Sequence, residues 1–225
     1  MSGIIINPYA IASAGLDPAA FVTEWTVGAG DTIKLPSYDG GHAGFTLDYD
    51  VDWGDGSSDS NVTTDDKTHT YSGAGTYQVV ITNQFGALNM QRASATERGY
   101  LTKMVQWGTD NIWSSIRYMF YECSVMAYEA TDYPNITNLV ENAQITGLFY
   151  GCDSVVNLDL TNWTNTGNFT YAYQAFQGMG GLRSINLTGW DTSNITYISY
   201  MFYLSGDPVN GCDFIMPNLD MSSAT

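Results

Sequence analysis

Residues 158–179 read "LDLTNWTNTGNFTYAYQAFQGM", and residues 185–205 read "INLTGWDTSNITYISYMFYLS". Both open on apolar residues alternating with Asn or Asp, pass a Thr and a Trp, run through Thr, Asn and Asp, and close on aromatics around a Phe. A phrase written twice is a repeat, and the repeat decides the fold. A unit of roughly 20–30 residues with one short strand cannot bury its apolar face alone, whereas stacked copies bury a continuous interior. The anchors "MFYEC" (119–123), "LFYGC" (148–152), "AFQGM" (175–179) and "MFYLS" (201–205) extend the pattern in both directions. They place Phe120, Phe149, Phe176 and Phe202 at spacings of 29, 27 and 26 residues.

The expected packing follows. Leu158 and Leu160 of one copy lie beside Ile185 and Leu187 of the next, about 4.8 Å away in the hydrogen-bonding direction. The Phe residues form one column, and Asn, Asp and Thr turns satisfy backbone groups at the corners. Trp163 and Trp190 occupy matching repeat positions, which suits core columns. Trp also suits sugar stacking and protein interfaces, so both residues are in addition candidates for surface binding.

Upstream, the punctuation changes. "FVTEWTV" (21–27) alternates as a strand does, and "TIKLPSY" (32–38), "FTLDYDVDW" (45–53), "THTY" (68–71) and "TYQVVITN" (76–83) follow, separated by Gly- and Asp-rich turns. Such short strands predict an antiparallel sandwich. In the last of them Tyr77, Val79 and Ile81 point inward and Gln78, Val80 and Thr82 outward. Residues 1–20, small and apolar with Pro8 and Pro18, are expected to be an extended anchoring arm, with Ile4, Ile5, Ile6 and Tyr9 as its apolar contacts. The expected organisation is therefore an arm (1–20), a sandwich (21–92), a connecting segment (93–117) and a repeat array (118–225).

Two of these blocks resemble known families. "VDWGDGSS" (51–58) followed by "THTYSGAGTYQVVITN" (68–83) is similar to the PKD domain, and the resemblance implies an immunoglobulin-like sandwich in which Trp53 fills the core. Gly54 and Gly56 shape the turn, and Asp55 accepts its backbone N–H groups. The repeats resemble the BspA-like leucine-rich repeat family, best in "GLRSINLTGWDTSNITYISYMF" (181–202). The copy at 123–149 departs from that pattern, with "EATDYPNITN" (129–138) where a Trp is expected, as a capping rung would. The resemblances together imply a mainly β protein, an immunoglobulin-like β-sandwich followed by a short leucine-rich-repeat-type solenoid.

Composition narrows the function. The 225 residues carry 7 Lys and Arg against 23 Asp and Glu, a net charge of −16. Nucleic acid and anionic membranes repel such a surface, and no apolar run approaches the roughly 20 residues a membrane helix needs. Neither nucleic-acid binding nor membrane insertion is expected. The three cysteines, Cys123, Cys152 and Cys212, cannot all pair within the chain; each is expected to be a buried structural thiol. With two histidines and no CxxC pair, zinc is not expected.

Asp48, Asp50, Asp52, Asp55 and Asp59 are dense enough to raise a calcium reading centred on Asp52 and Asp55, although no EF-hand pattern is present. Solvated strand-and-turn aspartates are the simpler reading, and no cofactor is expected. His69 falls within the PKD-like stretch with no GxSxG elbow in the chain, so no catalysis is assigned. Six Asn-x-Thr triplets suit turn chemistry without a secretion signal. "MSGIIINPYA" (1–10) has no basic residue ahead of its apolar run, unlike a signal peptide, and resembles the start of bacteriophage structural proteins.

These features point to a non-enzymatic virion surface protein, a capsid decoration or fibre-type protein made in the host cytoplasm. Its expected partners are capsid or tail proteins, a host surface glycan and further copies of itself as a homo-oligomer. The alternatives are a bacterial cell-surface adhesin and an accessory module of a glycan-degrading enzyme.

Overall fold

A computed structural model describes residues 15–37, 47–139 and 144–215. The anchoring residues Ile4, Ile5, Ile6 and Tyr9 lie outside the described residues. Within them the protein is mainly β. The strands are β1 (Phe21–Val27), β2 (Thr32–Leu35), β3 (Asp48–Asp52), β4 (Ser58–Val62), β5 (Lys67–Thr70), β6 (Gly75–Gln84), β7 (Leu101–Gln106), β8 (Ala127–Tyr128), β9 (Asn157–Asp159), β10 (Ser184–Asn186) and β11 (Asp213–Ile215). One short helix, α1 (Ala95–Tyr100), precedes β7.

Six strands form one sheet in the order β4-β3-β6-β1-β7-β8, and β2 pairs with β5 in a second. Alternation places the core side chains: Val79 and Ile81 of β6 and Tyr49 and Val51 of β3 are buried, while Tyr77 is half-buried. Ile33 and Leu35 of β2 complete the same core from the second sheet, as in a β-sandwich.

From β7 onward the pairing between successive passes is parallel. β7 pairs with β8, and β9, β10 and β11 form a three-stranded sheet with Leu158 opposite Ile185 and Ile185 opposite Phe214. The aromatic turns between these strands stack as well. The N–H groups of Tyr118, Phe120 and Glu122 donate to the carbonyls of Thr146, Leu148 and Tyr150, at 2.9, 3.0 and 2.6 Å. The next pass repeats this from Gly147, Phe149 and Gly151 to Tyr173, Ala175 and Gln177, and the one after from Gln174, Phe176 and Gly178 to Ser199, Met201 and Tyr203. Four successive passes therefore superpose in register.

A conformational rule underlies this register. The residues two before and two after each anchor Phe are left-handed: Tyr118 and Glu122, Gly147 and Gly151, Gln174 and Gly178, Tyr200 and Leu204. Left-handed backbone costs about 1–2 kcal/mol at a residue with a Cβ, so the stacking must hold five such non-glycine residues against their preference. Gly147 shows the local constraint: a Cβ there would sit 2.5 Å from Cδ1 of Tyr118, on top of the strain of φ +59°. Gly147→Ala is expected to destabilise the fold by about 1–3 kcal/mol, which chemical denaturation would read. An unchanged midpoint would mean that the left-handed turns are not under constraint.

The segment 93–117, expected as a connector, is part of the folded body. Ser94 and Glu97 form a reciprocal capping box at the start of α1, with bonds of 3.2 and 2.7 Å. β7 then pairs antiparallel with β1 along one edge and parallel with β8 along the other. It hides from a search for alternation because its buried residues, Leu101 and Met104, are three apart. Irregular register along β1 accompanies that offset.

Residues 17–20, the described end of the expected arm, are also anchored to this body. Thr109 and Asp110 donate to the carbonyls of Pro18 and Ala19, and Gln106 Nε2 donates to those of Asp17 and Ala20. A Cβ on Gly108 would come within 2.4 Å of the Ala19 and Ala20 backbone, so glycine is what allows this crossing.

Candidate functional site

Trp53 and His69, brought together from the turn after β3 and from β5, stack with ring centroids 4.8 Å apart. Tyr71 closes the group by donating to the Trp53 carbonyl at 3.0 Å and stacking on Tyr77 at 4.4 Å. His69 Nε2 lies 2.8 Å from Asp55 Oδ2, and Asp55 Oδ1 accepts from the backbone and hydroxyl of Ser57. Asp59 accepts from Trp53 Nε1 at 2.9 Å and from Lys67 Nζ at 2.8 Å. These bonds tie one turn to the strand that crosses it.

Ser57, His69 and Asp55 lie together, yet they do not make a triad. Ser57 Oγ and Asp55 Oδ2 both face the same ring nitrogen, Nε2, at 3.5 and 2.8 Å. A triad needs the acid on one nitrogen and the nucleophile on the other. The Ser57 hydroxyl moreover bonds Asp55 directly. The calcium reading fares no better. Asp52 accepts from Gly54 N–H at 2.8 Å within its turn, and Asp50 accepts from Asn61 and Asn83 on the neighbouring strands, so each carboxylate already has a donor. No metal-binding group of three His, Cys, Asp or Glu forms among the described residues.

Hydrogen bonding moves two carboxyl groups of this cluster. Burial works to raise the Asp55 carboxyl, but bonds from Ser57 and His69 outweigh it and hold it below the ordinary range. The Lys67 bond, then that of Trp53, does the same for Asp59. A depressed folded value means stability that is present above the unfolded value, near pH 4, and lost as pH falls through the folded one. Asp59→Asn is therefore expected to lower the melting temperature at pH 7 and to differ much less from wild type at pH 3. Thermal melts at the two values check this; an equal deficit at both would show that charge plays no part.

The repeat residues stand in files. Phe120–Phe149, Phe149–Phe176 and Phe176–Phe202 ring centroids are 5.3, 6.0 and 5.3 Å apart, and Phe214 caps the last at 5.1 Å. Leu158, Leu160, Ile185 and Leu187 are buried; Phe202 is half-buried. Three residues after each Phe come Cys123, Cys152, Met179 and Ser205. The Cys152 thiol donates to the Phe120 carbonyl and the Ser205 hydroxyl to that of Phe176, so a side-chain donor joins neighbouring passes at equivalent places. Burial pushes the Cys123 and Cys152 thiols up, out of the reactive range. Cys212, expected to be buried as well, is half-buried.

Trp163 and Trp190 are not surface-binding residues. Each retains 3 % exposure, they stack at 5.8 Å, and Trp190 Nε1 donates to the Leu160 carbonyl at 2.9 Å. Trp107 stands below them, 5.4 Å from Trp163. It precedes Phe120 by 13 residues, as Trp163 precedes Phe176. The repeat thus begins one pass earlier than its anchors indicate, inside the segment expected to be a connector. In the pass lacking a Trp, Tyr128 takes the indole bond of Trp107 at 2.9 Å.

Besides Phe214 of β11 and Tyr133, the aromatics that reach solvent are tyrosines on the last two turns. Tyr171, Tyr197, Tyr200 and Tyr203 are 37, 37, 56 and 53 % exposed. Tyr171–Tyr197, Tyr173–Tyr197, Tyr173–Tyr200 and Tyr200–Tyr203 link them into one patch with centroids 5.5–6.1 Å apart. Sequence reasoning misses them: among them only Tyr171 and Tyr197 share an offset, five residues before Phe176 and Phe202, and residue type does not mark which side of a turn faces water.

Residues 114–207 match a protein-family model described as "Mycoplasma protein of unknown function, DUF285". The match falls on the parallel passes and leaves the antiparallel region outside it. No curated protein and no solved structure matches the chain. None of the described helices is long and apolar enough to cross a membrane.

Proposed function

We propose that the protein is a non-enzymatic surface protein of a bacteriophage virion, an immunoglobulin-like sandwich of PKD type carrying a short leucine-rich-repeat-type solenoid of BspA-like kind. The observation that carries the display role is the single buried core running from Phe21 in β1 to Met201 in the last turn. A continuous core makes both regions one stiff support. The titratable cluster at Trp53 is committed to bracing a turn, and aromatic and polar side chains cover the outside of the passes. The likeness of residues 1–10 to phage structural proteins supports the virion setting, with the N-terminal residues as the anchor to a capsid or tail protein.

A second setting is the surface of a bacterial cell, to which the BspA-like resemblance of the repeats points; the family matched over residues 114–207 carries a Mycoplasma description and no function. Immunogold labelling of phage-producing cultures distinguishes them. Gold on particles supports the first reading, gold on the cell envelope the second, and gold on neither removes both. The anchor is tested by deleting residues 1–14 only, because Ala20 is fully buried and residues 17–20 brace the loop at 106–110. The truncated protein is expected to keep its melting temperature and to be lost from particles. Normal incorporation would eliminate the arm as the anchor.

A further inference from the structure

We propose that the tyrosine patch on the last two complete turns is a binding site for an extended, neutral polysaccharide chain. This rests on the surface-display reading and names the ligand class of that surface.

Three observations lead to it. First, Tyr171, Tyr197, Tyr200 and Tyr203 reach solvent, Tyr173 is half-buried beside them, and none of these contacts is a flat stack. Tyr171 and Tyr173 meet Tyr197 at tilts of 38 and 42°, and Tyr200 meets Tyr173 and Tyr203 edge-on at 81 and 78°. Tyr121 and Tyr150, by contrast, lie flat on one another at 12° and cover each other's faces. Exposed, hydroxyl-bearing rings suit the apolar faces and hydroxyl rims of sugar rings.

Second, the patch spans two passes. Tyr171 and Tyr197, five residues before Phe176 and Phe202, pair across a parallel bridge, so the rings run over two passes one strand spacing apart. An extended chain covers such a span, whereas a single compact ligand meets one pass. Gln177, in the turn beside these rings, has its Oε1 buried without a hydrogen-bond partner, an unmet acceptor next to the patch.

Third, charge selects the class. The stretches "YAYQAFQG" (171–178) and "TYISYMFYLS" (196–205) contain no ionisable group other than tyrosine. With a net charge of −16 on the chain, a polyanion is repelled and finds no cation in the patch.

Affinity electrophoresis of the whole protein tests this, with hydroxyethyl cellulose, galactomannan and xyloglucan in the gel and polygalacturonate as the anionic control. Retardation by at least one neutral polymer and none by polygalacturonate is expected. Tyr173→Ala and Tyr197→Ala should each lower the association constant roughly 2- to 12-fold. Tyr121→Ala should leave it unchanged, and unaltered melting temperatures certify folding. If an alanine variant misfolds, Tyr200→Ala, on the most exposed ring, replaces it. Absence of retardation by all three neutral polymers overturns the proposal, as does retardation that these tyrosine substitutions do not weaken. The outcome is separable from the display reading: labelled particles without polysaccharide binding leave that reading standing, and binding without labelled particles leaves this site standing.

Discussion

Replacing Phe149 with Ala is expected to destabilise the protein by about 3–5 kcal/mol, lowering the melting temperature by roughly 6–20 °C for a chain of this size. Phe149 is fully buried and touches Phe120 below, Phe176 above and Tyr128 at the side, at 5.3, 6.0 and 5.6 Å. Truncation removes contacts with two neighbouring passes at once, and neither can close the gap without breaking the bonds from Phe120 N–H to Leu148 and from Phe149 N–H to Ala175. Phe202→Ala, at the half-buried end of the file, should cost distinctly less. Equal losses at both positions would mean that the file is not the load the stack depends on.

Trp107→Ala should have an effect of similar size, about 3–5 kcal/mol, with a different signature. Its ring touches Phe21 and Trp113 on one side and Phe120 and Trp163 on the other, at 6.3, 5.5, 5.9 and 5.4 Å. Asp132 holds the same turn by accepting from Trp107 and Gly108 N–H. The residue therefore joins the antiparallel region to the parallel passes. Wild type is expected to unfold in one transition seen alike by tryptophan fluorescence and far-ultraviolet circular dichroism. In Trp107→Ala the two probes should separate as the halves lose their common centre. Two transitions already in wild type, or an unmoved midpoint in the variant, would defeat the shared core on which the display role rests.

The repeat positions were legible because aromatics at near-constant spacing have few explanations other than stacking. The Trp53, His69 and Tyr71 cluster was legible in part: the motif marks the turn, while the shared Nε2 that rules out a triad is a matter of ångströms. Trp163 and Trp190 were misplaced as candidate binding residues because residue type carries no sign of which side of a turn it faces. The tyrosine patch escaped for the same reason.

Five strands of the antiparallel region, the stacked passes with their Phe spacing and the acidic, cation-poor composition follow from the amino-acid sequence, since periodicity and charge are local and additive; the polar β4 and the irregular β7 carry no such pattern. Only the tertiary structure decided that β7 belongs to the first sheet, that Trp107 founds the Trp file, and which aromatics reach water. Those depend on register between segments far apart in the chain, 84 residues at Val22 against Gln106 and 56 at Trp107 against Trp163, where a shift of one residue turns a side chain from core to solvent.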